Sequence, residues 1–185
     1  DENQFESLIT ALFSQFEDAK WWVAKVGAIS VLSEIAKHCT QDQLARLVKV
    51  LLLQIKDKSK GIRTAAIIAL GKIAEYCDEI RLASLTEALL LKFEDEDWHV
   101  REGAAQVSGK IAKHCDEKPL TRLIKTLLSR LGDKHENVRI ATILALSETA
   151  AFCSEKQLTF LIKTLLLQSN DRRKGIRLAV VMALD

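Results

Sequence analysis

Hydrophobic positions in this chain follow the spacing of amphipathic helices. Within residues 62–77, apolar and small residues return every three or four positions, which is typical of one face of an α-helix. The polar pair Asp78-Glu79 interrupts this pattern, and a leucine-rich stretch over residues 82–93 follows it. We name the alanine-rich first helix A and the leucine-rich second helix B. The pattern therefore predicts two helices that share one core.

The same helix pair returns along the chain with a constant step of 38 residues. Three residue types mark this step without an insertion: Cys39, Cys77, Cys115 and Cys153; Arg63, Arg101, Arg139 and Arg177; Asp57, Asp95, Asp133 and Asp171. One such repeat cannot bury its apolar face alone and must stack on its neighbours. The sequence therefore predicts an all-α solenoid.

The repeats divide the chain into a regular series of helices. We expect a single array over residues 1–185, with a B helix at about 4–16, A/B pairs at about 20–57, 58–95, 96–133 and 134–171, and a last A helix at about 173–185. Solenoids need polar caps at their ends, and this last helix is apolar. We therefore expect a fragment of a longer array, or self-association through the uncapped C-terminal end.

The residue pattern within each repeat resembles that of a known family. Asp57 is followed six residues later by Arg63, and then by the pattern Ala-x3-Ala-Leu-Gly-x-Ile over residues 65–73. This pattern resembles HEAT-like repeats, and it is most similar to the short regular repeats of bilin-lyase-type proteins. The resemblance implies a right-handed α-solenoid of helix pairs whose B helices line the concave side. It implies little about function, because such arrays serve many unrelated tasks.

Composition narrows the range of partners. The net charge is only +2, which is too small to indicate nucleic acid by itself. No apolar run approaches the roughly 18 residues of a membrane span, so we expect no membrane partner. Cysteines one repeat apart would be separated by about 8–10 Å, whereas a disulfide needs Cα atoms within about 7 Å. We therefore expect buried thiols near helix ends and a reducing compartment, the cytoplasm or the nucleus.

The repeated charged residues are predicted to be structural. An Asp and an Arg recur in every repeat, whereas a catalytic site occurs once; we expect the aspartate to cap the next helix and the arginine to link successive repeats. His38 and His114 are two repeats apart, about 20 Å, and cannot share a metal ion. We predict no catalytic residue, no metal site and no cofactor.

The B helices carry a candidate binding surface opposite their core face. It consists of an apolar line flanked by basic residues and one phenylalanine: Leu53, Leu91, Leu167, Arg46, Lys49, Arg122, Lys125, Arg130, Phe160 and Lys163. Exposed apolar patches of this kind often mark binding sites, and a groove with leucines and bases suits an acidic amphipathic helix or an extended peptide. The alternative is that helix curvature buries the leucines against adjacent repeats.

A second candidate patch combines tryptophans that precede A helices with apolar residues on the outside of the last A helices: Trp22, Trp98, Ile140, Leu144, Leu178 and Met182. Each tryptophan either packs over its turn or contacts a partner. The apolar residues are consistent with a contact to another chain.

Three function classes follow from these observations. The first is a non-catalytic protein-binding scaffold that binds a partner peptide or helix along the concave face, which the B helices line. The second is binding of a nucleic acid or phosphate backbone through the basic residues, although Glu87 and Glu94 interrupt the positive stripe. The third is a HEAT-like enzyme such as a DNA glycosylase or a lyase, which would need a non-repeating polar cluster that the sequence does not show.

Overall fold

The structure, a computed structural model, describes residues 22–185 together with residues 7, 10, 11 and 14. Residues 22–185 contain no β-strand and nine α-helices: α1 (Trp22–Ile35), α2 (Gln41–Gln54), α3 (Lys60–Ile73), α4 (Glu79–Lys92), α5 (Trp98–Ile111), α6 (Glu117–Arg130), α7 (Glu136–Ala150), α8 (Glu155–Gln168) and α9 (Lys174–Leu184). The odd-numbered helices are A helices and the even-numbered ones are B helices. The B helix expected at about 4–16 lies largely outside the described residues.

The chain comprises two compact units, Asp1–Arg81 and Leu82–Asp185. In the first unit, helix α1 packs against the next A helix, α3, and α2 packs against α3. In the second unit, α5 packs against α7 and α7 against α9, while α6 and α8 pack on the A helices that follow them. These contacts bury the inner faces of the A helices, where Ile67, Leu70, Val100 and Leu146 are completely buried.

Short polar breaks separate the A helix from the B helix within a repeat. Helix α3 ends at Ile73 and continues only as a 3₁₀ turn over Ala74–Tyr76, after which Cys77 is extended. The prediction that this A helix runs on to Cys77 is therefore wrong, because the last turn tightens before the chain reverses. The B helices α2 and α8 then begin with reciprocal capping boxes, in which Thr40 and Ser154 exchange hydrogen bonds with Gln43 and Gln157.

An aspartate lies in each of the four described turns from a B helix to the next A helix, and an arginine closes three of them. In four turns the aspartate Oδ1 accepts a hydrogen bond of 2.7–3.1 Å from the backbone N–H two residues later. In three of them the arginine Nη1 donates to two carbonyls at the start of the turn, at 2.8–3.1 Å. We call this arrangement the turn clamp. The aspartate thus binds the N-cap residue itself, not the first turn of the helix as predicted.

One turn clamp is also joined to the next turn within the second unit. Arg101 Nε and Nη2 donate to the two carboxylate oxygens of Asp133 at 2.8 and 3.0 Å, and both side chains are about 5% exposed. Burial alone would raise the pKa of Asp133, but hydrogen bonds from Arg101 and from the backbone N–H of His135 outweigh it, so that the pKa of this carboxyl is lowered. The arginine of one turn thus binds the aspartate of the following turn, 32 residues along the chain.

The cysteines sit at the ends of the A helices and are half-buried, not fully buried as predicted. All four lie within the described residues, and none forms a disulfide. The thiols of Cys77 and Cys153 each donate to the carbonyl four residues earlier, at 3.4 Å. Burial raises the pKa of Cys77 to about 11, and burial also raises the pKa of Cys115 and Cys153.

Helices α5 and α7 approach each other closely at Gly109. A Cβ atom at this position would lie 2.9 Å from the Cα of Ala145 and would also meet the side chain of Glu148. Real Cβ atoms do not come this close to backbone atoms, so only glycine fits without moving one of the helices. Gly27 on α1 offers a contrast, because a Cβ there would meet nothing within 4 Å.

Replacing Arg101 by alanine should lower the free energy of unfolding by about 2–3 kcal/mol, because it leaves the buried Asp133 carboxylate without its partner. Urea denaturation of the wild-type and variant proteins measures this loss. Arg177→Ala is the matched control, since Arg177 is an exposed turn-clamp arginine with only backbone acceptors among the described residues; it should cost less than about 1 kcal/mol.

The dependence of stability on acid pH provides a second test of the Arg101–Asp133 pair. A carboxyl with a lowered folded pKa stabilises the fold above its unfolded pKa of about 4, and this contribution is lost as the pH falls through the folded value. The wild-type protein should therefore lose more stability than Asp133→Asn between about pH 5 and pH 2. Equal acid dependence in the two proteins would contradict the assignment of the Arg101 pair.

Gly109→Ala should destabilise the protein by about 1–3 kcal/mol through overpacking of α5 against α7. Gly27→Ala should be neutral or stabilise it by up to about 1 kcal/mol, because alanine is the better helix former and the space is open. Thermal melting of both variants compares the two sites. The close approach of α5 and α7 is wrong if Gly109→Ala melts at or above the temperature of Gly27→Ala.

The thiols of Cys77, Cys115 and Cys153 should react slowly with iodoacetamide at pH 7, since a raised pKa leaves little thiolate. We expect unfolding in guanidinium chloride to accelerate alkylation of Cys77 more than tenfold, as read by mass spectrometry of its peptide. In the folded protein the rate at Cys77 should still rise between pH 8 and pH 10, because its pKa is about 11. Fast alkylation of the folded protein at pH 7 would show that this thiol is not protected.

Candidate partner-binding face

The B helices of the second unit expose leucines opposite their buried ones. Leu89 and Leu165 are completely buried, whereas Leu91 and Leu167, two residues further on, are 72% and 75% exposed. Successive residues of a helix are about 100° apart, so that a step of two residues moves a side chain from the core to the surface. The alternative that helix curvature buries these leucines is therefore wrong. Ser129 holds the equivalent position on α6 and is also exposed.

One helical turn before these positions lies a row of charged residues. Lys125 and Lys163 occupy it on α6 and α8, and both are exposed. Neither lysine forms an ion pair with another of the described residues. Glu87 holds the same position on α4. We call the surface formed by this charged row and the following residues the B face of the second unit: Leu91, Ser129, Leu167, Phe160, Arg122, Arg130 and Glu94.

Two of the predicted binding arginines pair with glutamates of the preceding repeat. Arg122 forms a two-pronged ion pair with Glu87, with Nη2 donating at 2.9 Å. Arg130 pairs with Glu94 and also donates to the carbonyl oxygen of Phe93 at 3.1 Å. Sequence reasoning missed these pairs, although opposite charges lie 35 and 36 residues apart, slightly less than one repeat. The positive charges of Arg122 and Arg130 are thus offset by glutamates of the protein itself.

Helix α8 carries the most extensive apolar part of the B face. Phe160 is 60% exposed and lies three residues before Lys163, while Leu167 lies four residues after it, so that all three share one side of the helix. Ile162 and Leu166 on the same helix are also partly exposed. Lys163 is thus flanked by an apolar side chain one turn away in each direction.

Helix α2 in the first unit shows a similar surface on a smaller scale. Leu53 is 59% exposed and lies two residues after the fully buried Leu51. Arg46 and Lys49 on the same helix are exposed as well. The predicted partner-binding residues of this unit are therefore at the surface.

The residues of the second candidate patch have different environments. The Trp98 ring stacks on the rings of His99 and His135, with centroids 3.6 and 3.8 Å away, so this tryptophan packs over its turn. Ile140 and Leu144 are half-buried and line a groove of about 410 Å³ between α5 and α7. Leu178 and Met182 on α9 are 56% and 60% exposed. The side chain of Trp22 lies outside the described part of the chain.

Neither a metal site nor a membrane span is seen in the described part of the chain. Its His, Cys, Asp and Glu side chains form no group of three that could hold a metal ion. None of its helices combines the length and the hydropathy needed to cross a bilayer.

Comparison with known families agrees with this architecture. The family model described as HEAT repeats matches residues 87–185, which is more than half of the chain. The chain belongs to the HEAT-repeat family. The predicted resemblance to HEAT-like repeats and the predicted all-α solenoid are thereby confirmed. No curated protein sequence matches this HEAT-repeat chain.

Solved structures similar to this HEAT-repeat protein are themselves repeat proteins. The complex of CpcE and CpcF of phycocyanin lyase from Nostoc sp. matches with a TM-score of 0.68 at 23% identity, covering 97% of this chain and 99% of that chain. A designed armadillo repeat protein in complex with the peptide (KR)4 matches with a TM-score of 0.64 at 20% identity, covering 98% and 84%. At these identities the similarity shows the fold alone.

Proposed function

We propose that this HEAT-repeat protein is a non-catalytic scaffold that binds a peptide or helix of another protein on the B face of the second unit. The observation that carries the proposal is the exposure of Leu91 and Leu167 at a helix position where Ser129 shows that the fold does not need an apolar residue. Exposed leucines beside unpaired charges are typical of a surface that a partner covers.

The structural relatives support a role of this kind. A designed armadillo repeat protein of the same general architecture is in complex with the peptide (KR)4, and another was designed for modular peptide recognition. That peptide is basic, whereas the B face here carries Lys125 and Lys163. We therefore expect the partner of this chain to be acidic, since opposite charges favour association.

The other function classes receive less support from the B face. Nucleic acid binding gains its affinity from many Lys and Arg side chains that contact phosphates. Here the charges of two arginines are offset by ion pairs with Glu87 and Glu94. A lyase role rests only on the likeness to the phycocyanin lyase complex, and fold similarity alone does not carry an activity. We propose neither a catalytic residue nor a cofactor. The four thiols favour a reducing compartment, the cytoplasm or the nucleus.

Selection of displayed helical peptides on the wild-type protein, followed by affinity measurement, tests this function. We expect Leu167→Asp to weaken the binding of the selected peptides more than tenfold. The melting temperature should stay nearly unchanged, because the Leu167 side chain is exposed to solvent. Leu91→Asp should act in the same direction.

Leu178→Asp on α9 is the matched control, because Leu178 is a similarly exposed leucine on an A helix. It should leave peptide affinity unchanged. The proposal fails if the selected peptides bind Leu167→Asp and Leu91→Asp as tightly as wild type, or if Leu178→Asp alone prevents binding.

A further inference from the structure

We infer that the B face of the second unit recognises two carboxylates that its ligand presents about one repeat apart, on one side of an amphipathic helix. This inference rests on the function proposed above and names the chemistry of the partner. It depends on which charges of the B face remain after the ion pairs within the protein are formed.

Only two cations of the B face remain without a described counter-charge. Arg122 is held by Glu87, and Arg130 is held by Glu94. Lys125 and Lys163 are exposed and have no acidic partner among the described residues. A ligand therefore meets two neutral ion pairs and two positive charges that no described residue offsets. Electrostatic complementarity favours a ligand with two negative charges at that place.

The spacing of the two lysines selects the spacing of the ligand charges. Lys125 and Lys163 hold equivalent positions in consecutive repeats, on α6 and α8. Gln157 on α8 donates to the hydroxyl of Thr121 on α6 at 3.1 Å, so these two helices are neighbours, and neighbouring helices lie about 8–10 Å apart. Seven residues of an α-helix rise about 10.5 Å and return to nearly the same side. A helix lying across α6 and α8 would therefore offer both carboxylates from positions i and i+7.

The apolar residues make this recognition asymmetric. On α8, Phe160 and Leu167 lie on either side of Lys163, whereas the equivalents on α6 are the paired Arg122 and the polar Ser129. The ligand should thus place its large apolar side chains around the carboxylate that meets Lys163. Its other carboxylate, over Lys125, should be surrounded by polar or small residues.

Because the available cations of the B face are lysines, we expect the ligand groups to be carboxylates and not phosphates. Phosphate recognition commonly uses the two-pronged guanidinium of arginine, and both arginines of this face are already engaged by glutamates. The remaining lysines are compact point charges that can each meet one carboxylate. A phosphorylated peptide is therefore an outcome for the experiment to distinguish and not the expected ligand.

Three synthetic helical peptides of equal length test the inference by fluorescence anisotropy. The first carries Glu at positions i and i+7 with leucines around the second Glu; the second has Gln at both positions; the third has the same composition with one Glu moved to the opposite side. We expect the first to bind at least tenfold more tightly than the other two, and its association rate to fall as salt rises.

Charge reversal in the protein provides the matched test. The double variant Lys125→Glu with Lys163→Glu should bind the glutamate peptide more than tenfold more weakly than wild type. It should instead bind a peptide with Lys at positions i and i+7. The control double variant, Lys110→Glu with Lys174→Glu, makes the same change of net charge on exposed residues of A helices and should bind like wild type.

The outcomes separate this inference from the proposed function. If the Glu and Gln peptides bind equally and Leu167→Asp still prevents binding, the face binds peptides but the carboxylate inference is wrong. If a phosphoserine peptide binds and the Glu peptide does not, the inference is also wrong. If both double variants weaken binding equally, only the net charge matters and the assignment to Lys125 and Lys163 is overturned.

Discussion

The turn clamp is the interaction on which the rest of this structure depends. In each clamp an aspartate binds the N–H of the next N-cap residue, and an arginine holds carbonyls of the same turn. These contacts fix where each A helix begins after its B helix. In the second unit Arg101 also binds the Asp133 carboxylate of the following turn, so that two successive turns are coupled by a buried, two-pronged hydrogen-bonded pair. A constant register of repeats is the consequence.

Because the register is constant, each B helix has some positions that always lie in the core and others that always face solvent. Leucines such as Leu89, Leu127 and Leu165 lie in the core in every repeat of the second unit and cannot vary in polarity. Positions two residues later face solvent, and there the chain uses leucine, serine and leucine in turn. The turns and the core thus specify the fold, while the outward positions are available to specify a ligand. This division permits a binding face to change without loss of the array.

The helix pairs and their stacking could be predicted from the sequence, because both depend on short-range spacing. The outward direction of Leu91 likewise depends only on the angle between successive helical residues. Other features depend on the reach of side chains between repeats, which periodicity does not encode. The pairing of Arg122 with Glu87, the partial exposure of Cys77 and the 3₁₀ turn that ends helix α3 early belong to this group. Of these features, the pairing of Arg122 with Glu87 decides which charges of the B face are left for a partner.

Methyl NMR of the leucine- and isoleucine-labelled protein, titrated with the peptide that carries Glu at i and i+7, tests the central claim most directly. The claim is that the constant register leaves one face, formed by α4, α6 and α8, for a partner. The account predicts large shifts of the Leu91 and Leu167 methyl signals and unchanged signals from Ile140 and Leu144, which line the groove between α5 and α7. Shifts confined to Ile140 and Leu144 would contradict it.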